Sequence, residues 1–317
     1  MDKPLVTNRA LFADALAGLR AEPKRMHPKW FYDQDGSALF ERITELPEYY
    51  PTRTELSILR REVGVLAASI PEGAALVELG SGASTKTRIL LDAIRGLRAY
   101  VPIDVSGDFL HDVASDLDHA YPGLRVAPLV GDFLGDLDLP EEIRNLPKVA
   151  FFPGSTIGNL EPAEAHSLLC RVRAWPGISA FILGVDLVKE PEILIRAYDD
   201  AAGVTAAFNR NLLLRLNREA GGTFDIDTFG HEARWNAEFE RIEMHLVSRQ
   251  TQEVSLGGCL IRFAKGESIH TENSHKYRED TIARAAAEAG WAVDAFLTDE
   301  RRLFGVAILR SDCTRFA

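Results

Sequence analysis

The stretch "VELGSGASTKTRILLDA", residues 77–93, constrains this chain more than any other. An apolar run ends in a glycine turn, and a helical pattern follows with Ile89, Leu90 and Ala93 on one side. Glycine permits both a tight turn and a close backbone approach to a ligand. Gly80 and Gly82 form a G-x-G, but Thr85 stands where a dinucleotide fingerprint has its third glycine. By itself the stretch fits a plain strand-to-helix turn or a bound nucleoside.

Its surroundings extend the pattern. Apolar runs at 74–80, 99–105, 124–133, 148–159 and 178–187 alternate with helical spacing. That alternation predicts an α/β fold whose parallel sheet has right-handed crossovers. At the C-terminal end, "TIARAAAEAGWAVDAFLTDERRLFGVAILRS" predicts a helix, a glycine stop and two strands joined by a polar turn. Such a hairpin adds antiparallel strands to an otherwise mostly parallel sheet. Two segments break the alternation, an aromatic-rich 1–54 and a mixed 188–276, and are expected to pack together as a second, α+β domain. The sheet domain then comprises 55–187 with 277–317.

Composition removes several functional classes. A net charge of −11 over 317 residues argues against tracking nucleic-acid phosphates. Cys170, Cys259 and Cys313 form no C-x-x-C and read as reduced thiols. The start, "MDKPLVTNRALFADALAGLR", has no apolar leader core, and no apolar run reaches membrane-spanning length. A cytoplasmic protein, acting as a monomer on small molecules, is expected. His231, His245, His270 and His275 lack a spacing such as H-E-x-x-H, so no metal is expected. There is also no G-x-S-x-G nucleophile elbow.

The ends of the second and third strands narrow the ligand. Asp104 closes "VPID", where a carboxylate can accept both ribose hydroxyls. Asp132 and Phe133 close the third run, one able to accept from an adenine amino group and the other to face the ring. Either aspartate alone is ordinarily a turn or helix cap. Both together, after a glycine loop and with no basic residue placed for a pyrophosphate, suit a phosphate-free nucleoside such as S-adenosylmethionine.

Several longer blocks then carry a resemblance: "LPEYYPTRTE", "LVELGSGASTKTRILLDA", "FPGSTIGNL", "DLVKE", "RAYDDAAGVTAAFNRN", "ARWNAEFERIEM" and "TENSHKY". In these the chain resembles the histidine-specific Nα-methyltransferases that make hercynine, the trimethylated precursor of ergothioneine. The resemblance implies a Rossmann-like class I methyltransferase sheet with a separate substrate-binding domain. It implies Gly80, Lys86, Asp104, Asp132 and Phe133 at the S-adenosylmethionine. It implies Tyr49, Asn159 and Tyr198 at the amino and carboxylate groups of histidine, with Glu272 and Ser274 on the imidazole. Met244 becomes a wall of the side-chain pocket, and Tyr32 and Asn159 lie at the reacting amine.

Elementary chemistry gives these residue types their sense. Methyl transfer from a sulfonium to an amine is an in-line displacement whose main demand is alignment. The amine must be neutral, and an α-amino group titrates near enough to neutrality that a strong general base is optional. On a strand, Glu272 and Ser274 point to one face, so a carboxylate and a hydroxyl can serve the two ring nitrogens. As plain structure, "TENSH" is a polar loop, Met244 a core residue and Lys86 a solvated first-turn lysine. Asn273 and His275 stand where the family has smaller or apolar residues and can retune the pocket. The alternatives are the same chemistry on another amino acid, such as tyrosine, or a non-catalytic S-adenosylmethionine sensor. A nicotinamide oxidoreductase is disfavoured by Thr85.

Overall fold

The run Ala75–Leu79 is buried at every position, as befits a central strand covered on both faces. A computed structural model of the chain describes residues 6–311, apart from residues 83 and 136 and the side chains at 108 and 109. Cys313 lies outside the described residues. Cys170 and Cys259 are unbridged thiols. Among the described residues no helix is long and apolar enough to cross a membrane.

The chain divides into two compact units, one of residues 51–188 with 275–317 and the other of 1–50 with 189–274. The first holds an eight-stranded sheet. Its order is Trp291–Thr298, Phe304–Ser311, Ile178–Asp186, Lys148–Phe152, Ala75–Leu79, Ala99–Asp104 and Arg125–Val126, with Leu129–Val130 also on Ala99–Asp104. Strands pair in parallel from the Arg125 edge to Ile178–Asp186. Phe304–Ser311 runs antiparallel to both its neighbours. This is the α/β sheet with a C-terminal antiparallel hairpin that the alternation predicts, and its strand order is that of a class I methyltransferase.

Side-chain alternation sorts the core into two layers. Val77, Leu79, Val101 and Phe152 pack with Leu168, Leu169 and Trp291. Leu76, Tyr100 and Phe151 pack with Leu59, Leu66 and Leu90 on the opposite face. The strand order reverses between Ala75–Leu79 and Lys148–Phe152, so the loops after these strands flank a topological switch point.

The run 124–133, expected as one strand, is two short pieces. Amides of Arg125, Ala127 and Gly131 donate to the carbonyls of Arg98, Tyr100 and Asp104. Pro128 has no amide to give, a deficit tolerated at a sheet edge. Asp132 and Phe133 follow in a turn.

The second unit is assembled around the helix Val204–Glu219, which buries Phe208, Leu212, Leu213 and Leu216. Helices Arg9–Arg20, Gln34–Thr44 and Pro191–Tyr198 accompany it. Its four-stranded sheet has the order Lys24–Arg25, Ser268–His275, Arg241–Ser248 and Phe229–Asn236. Distant segments are tied by specific bonds. Asp33 caps the helix Gln34–Thr44 through the Gly36 amide at 2.7 Å, and accepts from Asn211 at 2.8 Å and Arg218 at 2.5 Å. Phe31 stacks on Phe208 at 4.5 Å between centroids.

Candidate functional site

In the sheet unit the glycine turn has left-handed backbone at Gly80 (φ 65°), Gly82 (φ 48°) and Ser84 (φ 52°). The Gly80 amide donates to the Ile103 carbonyl at 2.8 Å, lashing the turn to the neighbouring strand. The Gly82 amide donates to Asp104 Oδ2 at 3.0 Å, and the Ser106 amide to Asp104 Oδ1 at 3.0 Å. Asp104 thus spans the glycine loop and the start of the next helix. Asp132 accepts from the Leu134 amide at 2.9 Å. The turn-capping role that each aspartate would ordinarily have is therefore real. A carboxylate has about four lone-pair sites, more than such a cap uses. Phe133 sets its ring edgewise on Phe152 at 5.1 Å, and a Cβ on Gly80 would stand 3.6 Å from it. Gly80, Asp104, Asp132 and Phe133 are gathered at the carboxyl ends of adjacent strands.

Beneath the loop lies a buried polar network that sequence reasoning missed. Glu78, 1 % exposed on the central strand, accepts from Thr87 Oγ1 at 2.6 Å and from the Tyr100 hydroxyl. Ser84 Oγ donates in turn to Tyr100 at 2.8 Å. Burial pushes the Glu78 carboxyl up to about 7, against the pull of the Thr87 and Tyr100 hydrogen bonds. Lys86, in the first turn of Thr85–Ala93, pairs with the fully buried Glu55 at 2.6 Å. Glu55 carried a signal: on Tyr50–Arg61 it shares the i, i+3, i+4 face with the buried Ile58 and Leu59.

The turn Thr156–Asn159 follows Ser155, which has φ 57° and accepts from the Asp186 amide at 2.9 Å. A Cβ on Gly158 would come within 2.7 Å of the His275 carbonyl, a closeness that only glycine permits. Asp186 and Lys276, both buried, form an ion pair of 2.8 Å.

In the other unit a chain of rings links residues far apart in sequence. Tyr32 sits 5.8 Å from both Phe40 and Phe208, Phe40 6.4 Å from Tyr49, and Tyr49 6.1 Å from Tyr198. The Tyr198 hydroxyl bonds Ser274 Oγ at 2.7 Å. Tyr32, Tyr49, Tyr198 and Ser274 are therefore joined in one aromatic and hydroxyl cluster. Phe40 and Phe208, unnoticed in the sequence, complete it. Glu272 and Ser274 are both buried on Ser268–His275, two residues apart and hence on one face. Met244 is 2 % exposed between the buried Ile242 and Leu246.

The strand register also brings together donors that linear spacing hides. One ligand atom each from Glu243, His245 and His270 lies within 4.8 Å of the others. The rings of His245 and His270 stack at 4.9 Å. Each donor already has protein partners. Arg241 and Asn236 donate to Glu243 Oε1, His245 lies between Glu243 Oε2 and Ser268 Oγ, and His270 Nε2 donates to the Glu272 carbonyl. Burial lowers His245 to about 4, while Arg241 and Asn236 help lower Glu243 to about 2 despite its burial. The cluster is a polar network in which Arg241 supplies a positive charge to Glu243.

Comparison with known proteins concerns the chain as a whole. A family model described as histidine-specific, SAM-dependent methyltransferase matches residues 11–311. The chain is 46 % identical over 311 residues to a histidine N-alpha-methyltransferase of Mycolicibacterium smegmatis, covering 94 % of each. It is 44 % identical to the histidine N-alpha-methyltransferase of Mycobacterium tuberculosis, again over 94 % of each. It is also 30 % identical to the ergothioneine biosynthesis protein 1 of Neurospora crassa, over 84 % of this chain and 31 % of that one.

Proposed function

The chain belongs to the family of SAM-dependent, histidine-specific methyltransferases, and from that membership we propose that it methylates the α-amino nitrogen of L-histidine. S-adenosylmethionine is the donor, and three successive transfers give hercynine, the first step toward ergothioneine. The observation that carries this reading is the near-full-length identity to histidine N-alpha-methyltransferases.

The geometry supports a division of labour. Asp104 accepts from the ribose hydroxyls, Asp132 from the adenine amino group, and Phe133 covers the ring. The Gly80 turn admits the donor's methionine portion, whose carboxylate meets Lys86. Tyr49, Asn159 and Tyr198 hold the amino and carboxylate groups of histidine. Glu272 accepts from one imidazole nitrogen, Ser274 serves the other, and Met244 supplies apolar wall. Tyr32 and Asn159 orient the α-nitrogen.

Transfer needs the nitrogen, methyl carbon and sulfur nearly collinear. It needs a neutral amine, which ordinary titration supplies, and its charge changes require no metal. After the third transfer the nitrogen is a permanent cation with no N–H. The rings of Tyr32, Phe40, Tyr49 and Phe208 then offer π faces, each worth roughly 0.5–2 kcal/mol to a cation.

The test is incubation of purified protein with S-adenosylmethionine and each proteinogenic amino acid, followed by product masses. Mono-, di- and trimethylated products from histidine alone are expected. A methylated product from another amino acid, with histidine unreacted, overturns the substrate assignment.

A further inference from the structure

Glu55 has no exposed side-chain surface, yet it is a carboxylate. Its Oε2 lies 2.6 Å from Lys86 Nζ. The Gly154 amide donates to it as well, at 3.1 Å to Oε1 and 2.9 Å to Oε2. Two glycines make room for this arrangement. A Cβ on Gly184, in the strand Ile178–Asp186, would collide with Glu55 Oε1. A Cβ on Gly154, whose φ is 82°, would stand 3.2 Å from Lys86 Nζ. One buried carboxylate therefore joins four segments of the sheet unit: its own helix, the first turn of Thr85–Ala93, the loop after Lys148–Phe152, and Ile178–Asp186.

A buried ion pair is weak evidence for stability, because desolvating both charges offsets much of their attraction. Geometry is the better explanation of this one. An ammonium has three N–H donors, and Glu55 takes one at a fixed point. The Lys86 side chain is 18 % exposed, so part of it faces outward.

We infer that Glu55 is a positioning residue for the methyl donor. It holds the Lys86 ammonium with its remaining N–H groups directed at the donor's carboxylate. Through Gly154 the same carboxylate anchors the loop that leads into Thr156–Asn159. This rests on the assignment of Lys86 to the donor carboxylate. Lys86 without Glu55 would be a long, mobile cation whose rotamers must be fixed anew at each binding event.

The experiment compares two probes, S-adenosylhomocysteine and 5′-methylthioadenosine. Both carry adenosine and sulfur, but the second lacks the carboxylate and amine. Glu55→Gln preserves size and an acceptor for Gly154 while removing the charge. It is expected to weaken S-adenosylhomocysteine about tenfold, the effect of losing a charge-assisted contact, and to leave 5′-methylthioadenosine within about twofold. Lys86→Met should produce the same selective loss, and Glu55→Gln added to it should cost nothing more. Equal weakening of both probes by Glu55→Gln makes Glu55 a purely structural residue and overturns the inference. So does a selective loss in Lys86→Met that Glu55→Gln fails to reproduce, which leaves the Lys86 assignment standing. No loss for either probe in Lys86→Met removes that assignment and the inference with it. The methylthioadenosine arm reports on folding in every variant.

Discussion

In the sheet unit the positions assigned to the donor are set by backbone: left-handed turns at Gly80, Gly82 and Ser84, and carboxylates at the ends of adjacent strands. In the other unit the positions assigned to histidine are set by side chains from remote segments, Tyr32 and Tyr49 with Tyr198 and Ser274. A sheet end with glycine turns is a general nucleoside receiver. A lining of converging rings and hydroxyls has no such generality, because each residue owes its place to a different stretch of chain. Selectivity for one amino acid is expected to reside there.

The sharpest way to break this contrast is Glu272→Ala. Losing a buried partner of the imidazole should lower kcat/KM for histidine by about a hundredfold or more. The Kd for S-adenosylhomocysteine, measured by calorimetry, should move less than about twofold. Parallel loss of both would mean that the two units do not divide the work in this way.

A second test sharpens the sheet side. Glu78 titrates near 7 in the folded chain, above its ordinary 4.5. The folded state therefore holds a proton that the unfolded state has released between those values. This contribution to stability is fully present below about pH 4.5 and is lost as pH rises through about 7. Glu78→Gln should remove that slope, flattening the unfolding free energy between about pH 5 and 8 by on the order of 2 kcal/mol. Urea melts across that range measure it. An unchanged slope would mean that Glu78 is already ionised in the fold.

Tyr198→Phe removes the hydroxyl that bonds Ser274. It should raise the histidine KM about fivefold, corresponding to roughly 1 kcal/mol, with kcat within about twofold. A large fall in kcat at constant KM would move Tyr198 from binding to the transfer step.

The smallest expected effect is none. Extended chelation should leave the methylation rate unchanged, since Glu243, His245 and His270 each have protein partners. Lost activity restored by zinc would make that cluster a metal centre.

Legibility in the sequence followed the same contrast. Buried strands announce themselves as short apolar runs, and the switch from strand to helix at Gly80 is local, so the sheet and its C-terminal hairpin were readable. The run 124–133 was misjudged in continuity, because Pro128 at an edge interrupts the ladder without abolishing it. Strand period placed Glu272 and Ser274 on one face. It said nothing of Tyr198, which reaches Ser274 across 76 residues of chain. Helical spacing marks Glu55 as facing the core, but the partners of Glu55 and Glu78, namely Gly154, Lys86 and Tyr100, are brought by tertiary structure and leave no sequence pattern. The Glu243–His245–His270 cluster escaped for a related reason. On a sheet, ligand spacing is i, i+2 plus a cross-strand neighbour, and the cross-strand neighbour is not a sequence pattern.

The most direct measurement is the position of the methyl groups in the product made from histidine with a carbon-13 methyl donor, read by NMR. The account predicts one resonance from equivalent methyls on the α-nitrogen, beside ring protons that titrate as in histidine. A methyl on an imidazole nitrogen, or an end product that stops at one methyl, would contradict it.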